Sequence, residues 1–115
     1  MNPKYRIFID DSVIGYEYYF SKNNNIELIV LPAIDLQKII NGQKDFTLSK
    51  ADIFIIRSKV KFKKGVAVNL PGFIGSSVSG EDHLDIAWLE NQGVEVFCAK
   101  GCNADSVRDY VLAVL

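Results

Sequence analysis

The apolar positions of this chain fall in short unbroken runs between polar turns. The runs are R-I-F-I at 6–9, I-E-L-I-V-L at 26–31, I-F-I-I at 53–56, F-I-G at 73–75 and V-E-V-F at 94–97. Runs of this length, rich in Ile and Val, suit strands that are covered on both faces, as in a parallel sheet. Helical patterns lie between them. Asp11 or Ser12 can cap a helix carrying Tyr16, Tyr19 and Phe20. Asp35 can cap one carrying Leu36, Ile39 and Ile40, closed by Asn41-Gly42. Asp85 can cap a third, its carboxylate accepting the free N–H groups of the first turn. That helix would bury Ile86 and Leu89 and end at Gly93, where a left-handed residue is wanted. After Asn103, Val107, Tyr110, Val111 and Val114 recur on one helical face. Strand and helix in alternation predict an α/β domain, a flavodoxin-like doubly wound parallel sheet of about five strands.

One segment breaks the alternation. Lys59-Val60-Lys61-Phe62-Lys63-Lys64 has a period of two, which suits a half-exposed strand or a loop better than a crossover helix. Its lysines are read as a solvated face in preference to a phosphate site.

Composition narrows the class. A chain of 115 residues fits one domain with one core, and 49% hydrophobic with 23% charged residues is ordinary for a globular protein. A net charge of −1 gives no electrostatic case for nucleic acid or an anionic membrane. No apolar run reaches the length of a membrane span. The start, M-N-P-K-Y-R, lacks the apolar core and small-residue cleavage site of an export signal, so a cytoplasmic location is expected. Cys98 and Cys102 are read as free thiols, and one histidine with no second cysteine pair leaves a metal site unsupported.

In an open parallel sheet, ligands bind beyond the carboxyl ends of the strands. The groups to inspect are therefore Asp10-Asp11, Pro32-Ala33, Arg57-Ser58, residues 76–80 and residues 100–103. Asp10-Asp11 is similar to the acidic pair of phosphorylation receiver domains, but Arg57-Ser58 stands where the phosphoryl-accepting Asp would be needed. The pair is read as a turn and a helix cap. Arg57 and Ser58 offer a guanidinium fork and a hydroxyl, which suit a carboxylate or phosphate, against the plain alternative of a surface Arg beside a turn Ser. Ser76-Ser77-Val78-Ser79-Gly80 is a small-residue loop whose N–H groups can approach an anion. It has neither the dinucleotide Gly-x-Gly-x-x-Gly spacing nor a P-loop ending. His83, between Asp82 and Asp85, is expected to help fix a helix start, because spacing implies no nucleophile or orienting carboxylate for it.

Ile56-Arg57-Ser58, Phe73-Ile74-Gly75, Gly80-x-Asp82-His83-Leu84-Asp85, Ala87-Trp88-Leu89, Gly93 and Gly101-Cys102-Asn103-Ala104 together resemble the N-terminal domain of the D-2-hydroxyacid dehydrogenases. The D-H-x-D and G-C-N-A pieces look most like the 4-phosphoerythronate dehydrogenase branch of that family, which serves pyridoxal phosphate synthesis. The resemblance is tight over residues 73–111 and loose over the first fifty. It implies a substrate-binding domain over residues 1–102 and the start of an interdomain helix over 103–115. It also implies an NAD-binding domain, with the catalytic Arg, Glu and His, lying beyond the chain. On that resemblance Arg57, Ser58 and the loop at Val78, Ser79 and Gly80 line the substrate. The N–H groups of Ser79 and Gly80 hold its carboxylate, and Asn103 caps the helix at the cleft mouth.

Some positions depart from the family pattern. Val78 replaces a Thr, Lys100 a Pro, Ala33-Ile34 a Gly-Arg, and Asp10-Asp11-Ser12 the usual Asp-Glu-Asn. The expected role is the substrate wall of an NAD-dependent oxidoreductase, inactive alone, its ligand a phosphorylated 2-hydroxy acid and its partner the missing cofactor domain. Two alternatives stand beside it. One is a domain of another member, such as a phosphoglycerate dehydrogenase. The other is a non-catalytic remnant that binds a partner or forms a homodimer through its last helix.

Overall fold

Strands covered on both faces need apolar side chains at odd and even positions alike, and the five apolar runs become the five strands of one sheet. A computed structural model describes residues 5–13, 26–76 and 83–97. Its elements are β1 (Tyr5–Asp10), β2 (Ile26–Leu31), α1 (Ala33–Ile40), β3 (Asp52–Ile56), β4 (Phe73–Ser76), α2 (Ile86–Asn91) and β5 (Glu95–Phe97). The strand order is β2-β1-β3-β4-β5 and every pairing is parallel. This is the flavodoxin-like order, in which the winding reverses between β1 and β3.

The two faces of the sheet feed two clusters. Phe8, Phe54, Ile56 and Ile74 meet Leu36, Ile39 and Ile40 of α1, Leu89 of α2, and Val60 and Phe62 of the β3–β4 connection. Phe8 and Phe54 stack at 4.9 Å, and Phe62 meets Phe54 edge-on at 5.6 Å. Ile7, Ile9, Val13, Ile26, Ile53, Ile55 and Phe73 form the second cluster. The expected helices around Tyr16 and around Val107 lie outside the described residues, as do Cys98, Cys102 and the last-helix homodimer contact. Among the described residues no helix is long and apolar enough to cross a membrane.

The β3–β4 connection over residues 57–72 contains no helix. Val60 and Phe62 are buried while Lys59, Lys61 and Lys64 are exposed, so the period of two marks one inward face. Phe62 forms an isolated parallel bridge to Leu84, with its N–H donating to the His83 carbonyl and its carbonyl accepting from the Asp85 N–H.

Two expected caps are corrected. Asp35 lies inside the first turn of α1, and Pro32 holds the cap position in an extended conformation. The Asp35 carboxylate instead meets Lys44 at 3.6 Å. Asp85 does occupy the cap of α2 but makes no side-chain bond to that helix. Its Oδ2 accepts the Lys64 N–H at 2.7 Å and its Oδ1 lies 3.5 Å from Lys63 Nζ. The nearby loop competes successfully for the carboxylate. Leu89 is fully buried, Ile86 only half-buried, and Gly93 has the expected positive φ of 84°.

Near the amino ends of the strands, the β1–β3 pair is locked by an ion pair between residues that face each other in register, Arg6 and Asp52. The Arg6 Nε and Nη2 groups donate to the two carboxylate oxygens at 2.7 Å each. Gly72 enters β4 so close to the Lys50 carbonyl that a Cβ there would collide with backbone.

Candidate functional site

The crevice between the carboxyl ends of β1 and β3 is set by the strand order, and the side chains at its rim are polar. β1 ends in Asp10. The register that pairs Ile9 with Ile55 brings Asp10 alongside Ile56, which pairs with Ser76 of β4. Asp10, Ile56 and Ser76 thus form a row across three strands at the carboxyl edge of the sheet.

Asp10 is 1% exposed. Its Oδ1 accepts the Ser12 N–H at 2.9 Å and the Ser12 hydroxyl at 2.8 Å, and its carbonyl accepts the Val13 N–H at 2.9 Å. The expected turn is therefore present, while the helix it was expected to cap lies outside the described residues. Asp10 Oδ2 is buried with no hydrogen-bond partner among the described residues. A buried oxygen left in that state costs roughly 1–3 kcal/mol, more when charged.

Arg57 and Ser58 follow β3 directly, and both are exposed. Arg57 reaches across the crevice, its Nη1 donating to the Ser12 carbonyl at 3.3 Å. Its backbone carbonyl accepts the Val60 N–H at 3.3 Å and closes the turn. The structure thus brings Arg57 and Ser58 to the same edge as Asp10 and Ser12. Val78, Ser79, Gly80 and Asn103 lie outside the described residues. Ile34, where the family pattern has a cation, is 65% exposed at the start of α1.

His83 lies two residues before Asp85, the cap of α2, and its carbonyl accepts the Phe62 N–H. It is buried beside β4, its Nε2 3.0 Å from Ser76 Oγ. Nothing in a spacing of seven marks this pair. The Asp10–Ser12–Arg57 arrangement was also missed as a unit. Its signal was present in the position of each residue at a strand end, but not in any motif.

Among the described residues no three His, Cys, Asp or Glu side chains converge for a metal. Where a dinucleotide fold places a glycine-rich turn after its first strand, β1 runs into two carboxylates, Asp10 and Asp11. A separate hollow of about 680 Å³ is lined by Lys63, Lys64, Asp85 and Trp88, but its Lys63 already faces Asp85.

No protein-family model matches the chain. Curated relatives do. The chain is 35% identical over 116 residues to a protein of Hydrogenovibrio crunogenus named erythronate-4-phosphate dehydrogenase, covering 100% of this chain and 28% of that protein. It is 29% identical over 111 residues to the Serratia proteamaculans protein of the same name, and 28% identical over 111 residues to that of Salmonella arizonae. Each alignment covers 96% of this chain and 27% of the relative. The chain therefore spans a little over a quarter of the length of these relatives.

Proposed function

We infer that this chain, which belongs to the erythronate-4-phosphate dehydrogenase family, forms the substrate-binding wall of an oxidoreductase acting on a phosphorylated 2-hydroxy acid. The observation that carries the reading is the exposed Arg57–Ser58 pair at the point where the winding of the sheet reverses. Such a substrate carries a carboxylate and a phosphate, and a guanidinium binds either through paired N–H groups. Ser79, Gly80 and Asn103, for which the family resemblance implies roles at the carboxylate and the cleft mouth, lie outside the described residues.

In this reading the cofactor and the residues that move the hydride and the proton belong to the remainder of the enzyme. These 115 residues recognise and orient the acid.

Calorimetric titration of the protein carrying this chain with 4-phosphoerythronate tests the reading. Arg57→Leu should weaken binding by tenfold or more, since a charge-assisted hydrogen bond is worth about 1.5–3 kcal/mol. Arg57→Lys should fall between, because it keeps the charge and loses the fork. Absence of binding at millimolar ligand would refute the assignment and favour a non-catalytic binding module.

A second reading, an unphosphorylated or differently phosphorylated 2-hydroxy acid, is favoured by one observation. Ile34 presents an exposed apolar side chain where a phosphate-binding cation would serve. Tighter binding of D-glycerate or 3-phosphoglycerate than of 4-phosphoerythronate would select it.

A further inference from the structure

Arg57 has two edges with which to hold a planar anion, one made by its two terminal nitrogens and the other by Nε and Nη2. The first is engaged, since Nη1 donates to the Ser12 carbonyl at 3.3 Å. No described residue bonds Nε or Nη2, so the second edge remains available. A long exposed side chain would ordinarily sample many rotamers, and ordering it on binding would cost affinity. Here the arm is tied to a backbone atom across the crevice.

That backbone atom is itself held. Ser12 is bound twice to Asp10 Oδ1, through its N–H at 2.9 Å and its hydroxyl at 2.8 Å. Asp10 is 1% exposed and sits at the end of a strand paired on both sides. The sequence of contacts runs from the sheet to Asp10, to Ser12, to Arg57. Its first link explains why a carboxylate is tolerated beside an anion receptor. Oδ1 is spent on two donors of the turn, which withdraws part of its charge from the crevice.

We propose that Asp10 is a positioning residue that, through Ser12, aims the Nε–Nη2 edge of Arg57 at a carboxylate or phosphoryl group of the ligand. This deepens the substrate-wall reading and rests on it for the identity of the ligand. Asp10 touches no reacting atom in this role; it fixes the direction of the guanidinium. The hydrogen-bond acceptor at Asp10 matters, and its charge does not.

The test uses the protein carrying this chain, with three variants and two readouts. The first readout needs no ligand: the ¹⁵N relaxation of the Arg57 Nε–H group. Asp10→Ala should make that group markedly more mobile than in wild type. Asp10→Asn, which keeps an acceptor for Ser12, should leave it as ordered as wild type. The second readout is affinity for 4-phosphoerythronate, expected to fall about three- to tenfold in Asp10→Ala and to be kept or improved in Asp10→Asn. Should Asp10→Ala fail to fold, Ser12→Ala removes one of the two bonds and should give a smaller change in the same direction in both readouts.

An Arg57 Nε–H group equally ordered in wild type, Asp10→Ala and Ser12→Ala would overturn the proposal. Equal losses in Asp10→Asn and Asp10→Ala would also overturn it, because charge would then be the operative property. If wild type does not bind 4-phosphoerythronate, the substrate reading fails on its own. The relaxation experiment still decides whether Asp10 aims Arg57.

Discussion

The ion pair at the far end of β1 and β3 allows the reasoning about burial to be tested by its asymmetry. The Asp52 side chain is 2% exposed and that of Arg6 32%. Asp52 accepts three short bonds, from Arg6 Nε, Arg6 Nη2 and the Ser49 N–H, each at 2.7 Å. Arg6 has other support. Its Nη2 also donates to the Thr47 carbonyl at 3.0 Å, and its guanidinium lies 5.4 Å and 5.6 Å from the rings of Phe8 and Phe46. Asp52→Ala leaves a cation that can still reach water, and should cost about 2 kcal/mol. Arg6→Ala strands a buried carboxylate with one backbone donor, and should cost about 3–4 kcal/mol. The double variant should fall short of the sum by about 1–3 kcal/mol, because both single changes remove the same contact. Urea unfolding of the ligand-free protein measures all three. With a slope of about 1–3 kcal/mol/M, even the smaller loss moves the midpoint by roughly 0.7–2 M. An Arg6→Ala loss no greater than that of Asp52→Ala, or strict additivity, would refute the argument. Affinity for 4-phosphoerythronate should be unchanged in both single variants, since they sit at the opposite edge of the sheet.

Other outcomes follow from single contacts. Gly72→Ala should destabilise by about 2–3 kcal/mol in the same urea assay, because the new Cβ meets the Lys50 backbone and either β4 or the turn before β3 must shift. Ser76→Ala should cost about 1–2 kcal/mol by removing the hydrogen bond to the buried ring of His83, and Ser76→Thr should recover most of it. Asp85 titrates below the usual carboxylate range, chiefly because the Lys64 N–H donates to it and further because Lys63 and Lys64 are close. A depressed folded pKa means that its stabilising contribution is present above the unfolded value and is lost as pH falls through the folded one. The Lys64 amide shift should follow that titration, with an inflection below that of an ordinary Asp, and Asp85→Asn should abolish it.

The strands were legible because each is a separate decision made by a local run. Ile53 to Ile56 admits no polar face, so only a strand covered on both sides accommodates it. The spacing of Leu36, Ile39 and Ile40 forecast α1 for a similarly local reason, and the alternation at Val60 and Phe62 forecast a connection with one inward face. What could not be read were choices between competing partners. The Asp85 carboxylate had its own helix end within reach and took the Lys64 N–H instead. Asp35 stood two residues inside a helix that begins after a proline. Arg6 and Asp52 are separated by 46 residues and meet only because β1 and β3 are neighbours in register. The candidate site was half legible for the same reason. Arg57 and Ser58 could be placed at a strand end, but the reach of Arg57 to Ser12, and the bonds that fix Ser12 to Asp10, exist only once β1 lies beside β3.

The central claim is that this chain recognises a phosphorylated 2-hydroxy acid at the β1–β3 crevice. An amide chemical-shift map of the protein titrated with 4-phosphoerythronate tests it most directly. Shifts should concentrate at Asp11, Ser12, Arg57 and Ser58, and extend into residues 77–82, while Gly72, Gly93 and Glu95 at the opposite edge stay still. Shifts confined to that opposite edge, or none at millimolar ligand, would contradict it.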